Sequence, residues 1–460
     1  MIIKYILENQ KLKVFYLISK RFVFAACMAL TALVCQAKRW TLRECLDYAM
    51  ENNVSLQKAG LTRQTNIETL KSSKATLFPS LSFTTSHNVA YNPWKANGTS
   101  TVSGGQVESS SQKTSYNGSY SVGANWTVWN GNRNHNTVRQ NDITELMSEQ
   151  DSITISRTLE EQIATLYVQI LYTKEAIRVN KSTLEAAKVN EERGKQMVEV
   201  GSMSRAECSQ LTATRAQDEY NVVQAESNER NYKRQLKALL QITDDEEFEI
   251  SEAEATDAMA LRQIPALQSV YDAAKENRPE VKKAQLSVKN AELQQKIAKA
   301  QWLPSVSMSA SVGTTNTSLG KNKWNEQVRN NFNVGGGVTV SVPILDQRAA
   351  RTALNKANIQ RQSALLDVKN AETTLYSTIE NYWIQANNNQ SQFKAAKVSS
   401  SAAQESYDLL SEQFAVGLKN IVELQDGKTR LLTAKQSELQ SKYMTILDIK
   451  MLELYGKQEN

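Results

Sequence analysis

Three segments of the chain alternate between apolar and small polar residues, and this period-two pattern predicts β-strands. They are residues 115–128, 305–312 and 333–342, and the second reads SVSMSASV. Each run has roughly 10 residues, the length that a tilted strand needs to cross a bilayer. Aromatic residues gather near the ends of the runs, as at Trp126 and Trp302, and membrane barrels carry such girdles. The pattern favours membrane-spanning strands, although strands of a soluble sandwich alternate in the same way.

Two longer stretches, residues 132–193 and 344–416, contain neither glycine nor proline. Leu159, Ile163 and Ile170 recur there at multiples of three to four residues, which is the spacing of a coiled-coil seam. A helix of about 65 residues would be ~100 Å long. The pattern predicts long helices that belong either to the wall of a channel or to a free-standing periplasmic rod.

Each predicted long helix ends at a glycine within related sequences, VEVGSMSRAE at residues 198–207 and FAVGLKNIVE at residues 414–423. Gly201 and Gly417 suit the C-terminal cap of a helix, where a positive φ is needed. Ser204 and Asn420 suit the N-cap of the helix that follows. The sequence therefore predicts two helical hairpins.

The chain is an internal duplication. The motif TLRECLDYAMENN at residues 41–53 corresponds to ALQSVYDAAKENR at residues 266–278, and the proline that ends the next helix recurs as Pro79 and Pro304. We predict a signal peptide over residues 1–37, a first repeat over 38–250, a linker over 251–265 and a second repeat over 266–460. Each repeat has the order helix, helix, strand, strand, long helical hairpin. Residues 97–118, which interrupt the correspondence, are predicted to form an extended surface loop.

The N-terminus has the features of an export signal, with a basic start, an apolar run over residues 22–34 and a cleavage site near Ala37. Cys45 and Cys208 alone follow it, so a disulfide framework is not expected. The mean hydropathy of −0.48 is unlike that of a helical membrane protein. The net charge of +6 is interspersed and forms no basic block for nucleic acid.

The sequence lacks the patterns of a catalytic or metal site. It has two histidines, neither beside a cysteine pair, and no nucleophile-elbow, phosphate-loop or dinucleotide fingerprint. We therefore expect no enzyme activity, no cofactor and no bound metal. Four membrane strands cannot close a barrel without open edges, which lipid does not tolerate. A membrane-spanning chain of this kind is predicted to assemble as a dimer or a larger ring.

Together with the duplicated unit, the segments WNGNR at residues 129–133, ILDQR at 344–348 and FAVGLKNIVELQD at 414–426 resemble the TolC-type outer-membrane factor family. The resemblance covers residues 38–455. It implies an α+β membrane protein whose homotrimer forms a 12-stranded β-barrel, continued by a periplasmic α-helical barrel. The implied function is that of a passive exit duct in the outer membrane. The implied partners are a periplasmic adaptor protein and an inner-membrane transporter of the RND or ABC type.

The resemblance also implies roles for residues of the two hairpins. The turns of family members dock the adaptor, and the matching residues here are Val200, Gly201, Val416, Gly417 and Leu418. A pore constriction is implied at Glu423 and Asp426, which lie three residues apart and so on one helix face. The competing interpretation of these two acids is an ordinary solvated helix face.

Closure of the family's channels involves a link between helices near the turns, and Glu207, Phe414 and Lys419 occupy the matching positions. A bond between Glu207 and Lys419 is possible by charge. Lysine and phenylalanine here replace the family's arginine and tyrosine, so the bidentate fork and the hydroxyl are both missing. The alternative function for the whole chain is a periplasmic coiled-coil scaffold or adhesion protein that forms no channel.

Overall fold

The structure is a computed structural model of the 460-residue chain, and it describes residues 39–94, 99–103, 106–110, 113–243, 248–252, 256–320 and 322–457. The predicted signal peptide lies outside the described residues. Among the described helices, none combines the length and the apolar character that crossing a membrane would require.

Ten α-helices and eight strands are described. The helices are α1 (Leu42–Asn52), α2 (Val54–Ala75), α3 (Arg133–Glu199), α4 (Arg205–Leu240), α5 (Asp257–Ala260), α6 (Leu267–Asn277), α7 (Pro279–Lys299), α8 (Trp324–Asn330), α9 (Ala349–Ala415) and α10 (Ile421–Gly456). The strands are β1 (Arg39–Trp40), β2 (Ser80–Tyr91), β3 (Thr99–Ser103), β4 (Gln106–Ser110), β5 (Thr114–Trp129), β6 (Glu249–Ile250), β7 (Ser305–Thr317) and β8 (Asn333–Ser341).

The duplicated order predicted from the sequence is present in the helices. Helices α1 and α6 both have 11 residues, α3 and α9 both have 67, and α4 and α10 both have 36. The two long helices lack internal proline because a proline would remove a main-chain hydrogen bond and clash with the preceding turn. The α+β fold class is confirmed for the single chain.

Strands β2, β5, β7 and β8 form one antiparallel sheet in that order, with β2 and β8 at its edges. One face carries the apolar residues of the alternation, as in the row Phe83, Val122, Val312 and Val334. All four of these side chains are exposed. The opposite face carries serine, threonine, asparagine and glycine, as expected from the sequence.

The segment predicted as an extended loop is more regular than expected. Residues 99–103 and 106–110 pair as the antiparallel strands β3 and β4, and β5 begins at Thr114, inside the predicted loop. The predicted extended loop therefore contains a two-stranded antiparallel hairpin. Alternating Thr, Ser and Val in short runs has β propensity, but the glycine and serine content of the segment hid it.

The chain divides into two compact units, and each contains parts of both repeats. The first holds Thr158–Pro265, Asn381–Leu454 and the residues up to Asn53; the second holds Val54–Arg157, Ala266–Glu380 and the C-terminal residues from Tyr455. The four-stranded sheet lies in the second unit. Both hairpin turns lie in the first, together with a core built around Tyr167, Ile163 and Leu236.

Tyr167 and Trp383 occupy equivalent positions in the two repeats. Each donates a hydrogen bond to the main chain of a segment that is distant in sequence. The Tyr167 hydroxyl donates to the Ser251 carbonyl at 2.7 Å, and the indole N–H of Trp383 donates to the Pro265 carbonyl at 3.2 Å. The short strands β1 and β6, which pair in parallel beside Tyr167, were not predicted because two residues carry no periodicity.

Asp448 is a buried carboxyl group on α10, with 3% of its surface exposed. Burial raises the pKa of Asp448 to about 6, although the Asn389 amide donates to it at 2.7 Å and acts in the opposite direction. In the unfolded chain an aspartate has a pKa of about 3.9. The ionised form therefore opposes folding: stability falls between about pH 4 and pH 6 and stays lowered above pH 6.

We expect Asp448→Asn to stabilise the protein at pH 7.5 and to have little effect at pH 4, because asparagine accepts the same hydrogen bond without ionising. A shift of two pKa units corresponds to about 3 kcal/mol, which is the upper bound of the gain. The difference in melting temperature between the variant and the wild type, taken at the two pH values, measures the gain in stability. Asp408→Asn is the matched control, since Asp408 also accepts from an amide, that of Gln404, but is exposed. Equal shifts in both variants would contradict the assignment.

Candidate functional site

Both hairpin turns have the same backbone geometry, which ends the preceding helix in a Schellman motif. Gly201 has φ +76° and Gly417 has φ +75°, a region where a side chain is strained. The N–H of Gly201 donates to the carbonyl of Val198 and that of Ser202 to Met197. The second turn repeats both bonds, from Gly417 to Phe414 and from Leu418 to Gln413.

The helices that follow the turns begin with the same capping arrangement. The Glu207 N–H donates to the Ser204 hydroxyl at 3.2 Å, and the Glu207 carboxylate accepts from the Ser204 N–H at 2.9 Å. Asn420 and Glu423 reproduce the pair, with 2.9 Å from the Glu423 N–H to the Asn420 side chain. The reciprocal bonds satisfy main-chain N–H groups that have no partner within the helix.

The turns present apolar side chains to solvent. Val200 is 78% exposed, Val416 is 71% exposed and Leu418 is 75% exposed. An ideal Cβ built on either Gly201 or Gly417 meets nothing within 4 Å. Each turn therefore exposes apolar side chains beside a hydrogen-bonded helix cap. The exposed apolar surface is larger at the second turn because Leu418 stands where the first has Ser202.

The three predicted gate residues, Glu207, Phe414 and Lys419, each have other partners. Phe414 is 2% exposed, in a cluster formed with Leu211, Tyr407 and Leu424, so it is a core residue of the paired hairpins. The Lys419 ammonium contacts the Glu423 carboxylate at 2.6 Å. The hydrogen bonds of Glu207 run to Ser204. The sequence left a Glu207–Lys419 bond open by charge, and the structure does not bring those two side chains together.

Glu423 and Asp426 each pair with a basic residue nearby in sequence. The hydrogen bond from Lys419, followed by that from the Asn420 N–H, lowers the pKa of Glu423. Asp426 contacts Arg430 at 3.0 Å, with both side chains exposed. Each acid is within reach of solvent, and each pairs with a basic residue four positions away.

The link between the two hairpins is formed by residues that the sequence analysis did not single out. The Gln425 amide donates to the Thr214 hydroxyl at 2.7 Å and accepts from the Gln210 amide at 3.1 Å. The next contact is an ion pair between Lys428 and Asp218, whose side chains are 12% and 6% exposed. Burial raises the pKa of Asp218, and the hydrogen bond from Lys428 opposes that rise.

The heptad pattern contained a signal for this ion pair. Asp218 follows the buried Leu211 by seven residues and precedes the buried Val222 by four. Lys428 lies between Leu424 and Leu431 at spacings of four and three. Both charges therefore occupy seam positions, where an uncompensated charge is costly. Opposite charges at facing seam positions indicate a pair.

Comparison with known proteins identifies the family. A profile of the outer membrane efflux protein family matches residues 45–241 and 270–449. The chain belongs to this family. It is 22% identical over 419 residues to toxin and drug export protein A of Aggregatibacter actinomycetemcomitans, covering 88% of this chain and 83% of that one. It is also 22% identical over 364 residues to the outer membrane protein TolC of Escherichia coli, covering 71% and 72%.

The fold of this outer membrane efflux protein is that of solved channels. The crystal structure of CusC superposes with a TM-score of 0.78 at 14% identity and covers 91% of this chain and 92% of CusC. The resemblance to TolC-type proteins is therefore confirmed. The family is one of efflux proteins rather than enzymes. In the described ranges, no group of three or more His, Cys, Asp or Glu residues is placed to hold a metal ion.

We expect Gly417→Val to strain the second turn, because a β-branched residue is unfavourable at φ +75°. The cost is roughly 1–2 kcal/mol, confined to the turn because no atom lies near the added side chain. Gly417→Asn should cost less, since asparagine tolerates this region. Amide hydrogen exchange at Leu418 reports the difference. Equal protection in the two variants would contradict it.

We expect Lys428→Met to loosen the contact between the hairpins, because it leaves Asp218 buried without its partner, at a cost of roughly 3 kcal/mol. In the double variant Asp218→Leu, Lys428→Met both seam positions are apolar, so its amides should regain protection against hydrogen exchange. Hydrogen exchange in α4 and α10 measures both. Lys419→Met is the matched control, since it removes a pair within one helix. A double variant as loose as the single variant would show that the charge pair is not the link.

Proposed function

We propose that the protein is the outer-membrane exit duct of a tripartite efflux or type I secretion system. The observation that carries the proposal is the four-stranded sheet with one apolar and one uncharged polar face. Leu81, Phe83, Val334 and Val338 are all exposed on the apolar face, which in water would promote aggregation. Lipid is the surrounding that suits this face, and water in a lumen suits the other.

Assembly into a closed ring follows from the sheet edges. Strands β2 and β8 are edge strands within the chain, and open edges are not tolerated in lipid. Further copies of the chain supply the missing neighbours. Three copies would contribute twelve strands, in keeping with the TolC-type resemblance, and would place the helical part in the periplasm.

The hairpin turns support the proposed partners. Val200, Val416 and Leu418 are exposed apolar side chains on rigid caps, which is the arrangement of a docking surface with preorganised anchors. We propose that Val200, Gly201, Val416, Gly417 and Leu418 dock a periplasmic adaptor protein, and that an inner-membrane RND or ABC transporter supplies the energy. In this proposal the transporter sets the cargo.

The channel proposal is tested by conductance in planar bilayers. The purified full-length protein should run as heat-sensitive trimers and should conduct ions in discrete steps. A scaffold or adhesion protein, the alternative function, would bind partners without conducting. Recovery of the protein as a soluble periplasmic monomer would contradict the duct.

We propose that Glu423 and Asp426 line the periplasmic mouth. In a three-fold ring they would place about six carboxylates around the opening, and acidic rings favour cations. The double variant Glu423→Gln, Asp426→Asn should lower the ratio of cation to anion permeability and weaken block by trivalent metal ions. Glutamine at position 423 still accepts the Asn420 hydrogen bond, so the cap is kept.

The matched control is Glu405→Gln, Asp408→Asn on α9. These acids have the same three-residue spacing, are exposed, and lie at a similar number of residues from Gly417. Reversal potentials under a salt gradient measure both double variants. Equal changes in the two, or none in the first, would remove Glu423 and Asp426 from the pore mouth.

A further inference from the structure

The apolar face of the sheet becomes more polar towards the strand ends that are remote from α2, α3, α7 and α9. From Val306 to Val312 the β7 residues on this face are apolar, and they span ~20 Å at ~3.4 Å per residue. The next two rows are Thr85, Tyr120 and Thr314, then His87, Gly118 and Asn316. An outward apolar band ~25 Å tall takes about 9–11 residues of a tilted strand, so a band counted from Val306 ends near Asn316. These two rows and the pair of Val89 and Tyr116 beyond them are here called the outer rows, and they lie at the border between the acyl chains and the lipid headgroups.

A histidine and two tyrosines are joined in the outer rows. The His87 Nδ1 lies 2.6 Å from the Tyr116 hydroxyl, and its Nε2 lies 2.9 Å from the Thr85 hydroxyl. The rings of His87 and Tyr116 stack with centroids 5.9 Å apart, and Tyr120 meets His87 edge-on at 5.4 Å. The cluster combines aromatic ring faces with hydroxyl groups, and the His87 side chain is exposed.

The Asn316 side chain adds to this cluster a polar atom that has no hydrogen-bond partner. It is 7% exposed, and its Oδ1 is buried with no hydrogen-bond partner. Its side chain lies over Gly118, where a Cβ would overlap Oδ1 and come within 3.1 Å of the Tyr116 hydroxyl. A buried acceptor without a hydrogen-bond donor carries an energetic cost. A donor from a ligand placed beside Tyr116 would remove that cost.

Helix α8 fixes the border of the cluster. The Thr314 hydroxyl donates to the Val328 carbonyl at 2.6 Å. The buried Gln327 side chain accepts from the Thr317 N–H at 2.7 Å and donates to the Thr317 carbonyl at 3.0 Å. The end of β7 is thereby held against the helix, so Asn316 is positioned rather than frayed.

We propose that the outer rows bind the saccharide headgroup of a glycolipid in the outer leaflet. The outer rows contain no Asp, Glu, Lys or Arg, and the lack of a lysine or arginine disfavours a phosphate as the recognised group. Aromatic faces suit the apolar faces of a sugar ring, and sugar hydroxyls supply the donor that Asn316 lacks. The inference rests on the proposed function, because it requires that lipid cover this face.

The test uses the full-length protein in nanodiscs that contain phosphatidylethanolamine and equal small amounts of phosphatidylglycerol and a lipopolysaccharide with only its inner sugars. Lipid retained after extraction into a sugar-free detergent is counted by native mass spectrometry. The wild-type protein should retain lipopolysaccharide over phosphatidylglycerol. Gly118→Ala, which displaces Asn316, and Tyr116→Phe, which removes the hydroxyl, should each lower that retention about five- to tenfold.

Gly123→Ala is the matched control on the same strand, since its added methyl group would lie on the opposite face, 4.0 Å from the nearest atom. It should retain lipopolysaccharide as the wild type does. Retention unchanged in Gly118→Ala and Tyr116→Phe, or a wild-type preference for phosphatidylglycerol, would overturn the site. Conductance separates the two proposals: a conducting protein that retains no lipopolysaccharide overturns the site alone, whereas a protein that forms no channel overturns the duct and the site together.

Discussion

Hydrogen bonding of the main chain at the edges of the four-stranded sheet is the constraint on which the other features depend. An edge strand presents N–H and carbonyl groups that water can satisfy and lipid cannot. Strands β2 and β8 occupy those edges, and the apolar side chains of the sheet are exposed on one face. In the proposed membrane setting, a single chain leaves the main-chain groups of its edge strands unsatisfied. The proposed duct therefore requires further copies of the chain, each of which contributes four strands.

The two hairpins are copies of one unit, and they expose different residues at their turns. The Schellman turns at Gly201 and Gly417 and the capping boxes at Glu207 and Glu423 are nearly identical, because both repeats must reverse a helix in the same number of residues. The exposed residues differ, since Ser202 replaces the bulky apolar group that Leu418 provides. Backbone geometry is shared between the copies, whereas surface chemistry is specific to each.

The contact between the hairpins combines an apolar seam with one buried ion pair. Leu211, Phe414 and Leu424 supply the apolar part, and Asp218 and Lys428 supply the charges. Replacing such a pair by apolar residues is often neutral or stabilising. The pair joins α4 to α10 at a buried position. Glu207 hydrogen-bonds to Ser204 and Lys419 pairs with Glu423, so these two residues do not bond to each other across the hairpins.

The sequence by itself determined the elements whose cause is local or periodic. Glycine at positions 201 and 417, proline at 79 and 304, and alternation in residues 305–312 each act over a few residues, and the structure has the turns, helix ends and strands that they predict. Only the tertiary structure decided what depends on partners distant in the chain. Asp218 contacts Lys428 across 210 residues, and Asn316 lies over Gly118. Charge and polarity are legible in a sequence, but which groups face each other is set by the register of packed helices and paired strands.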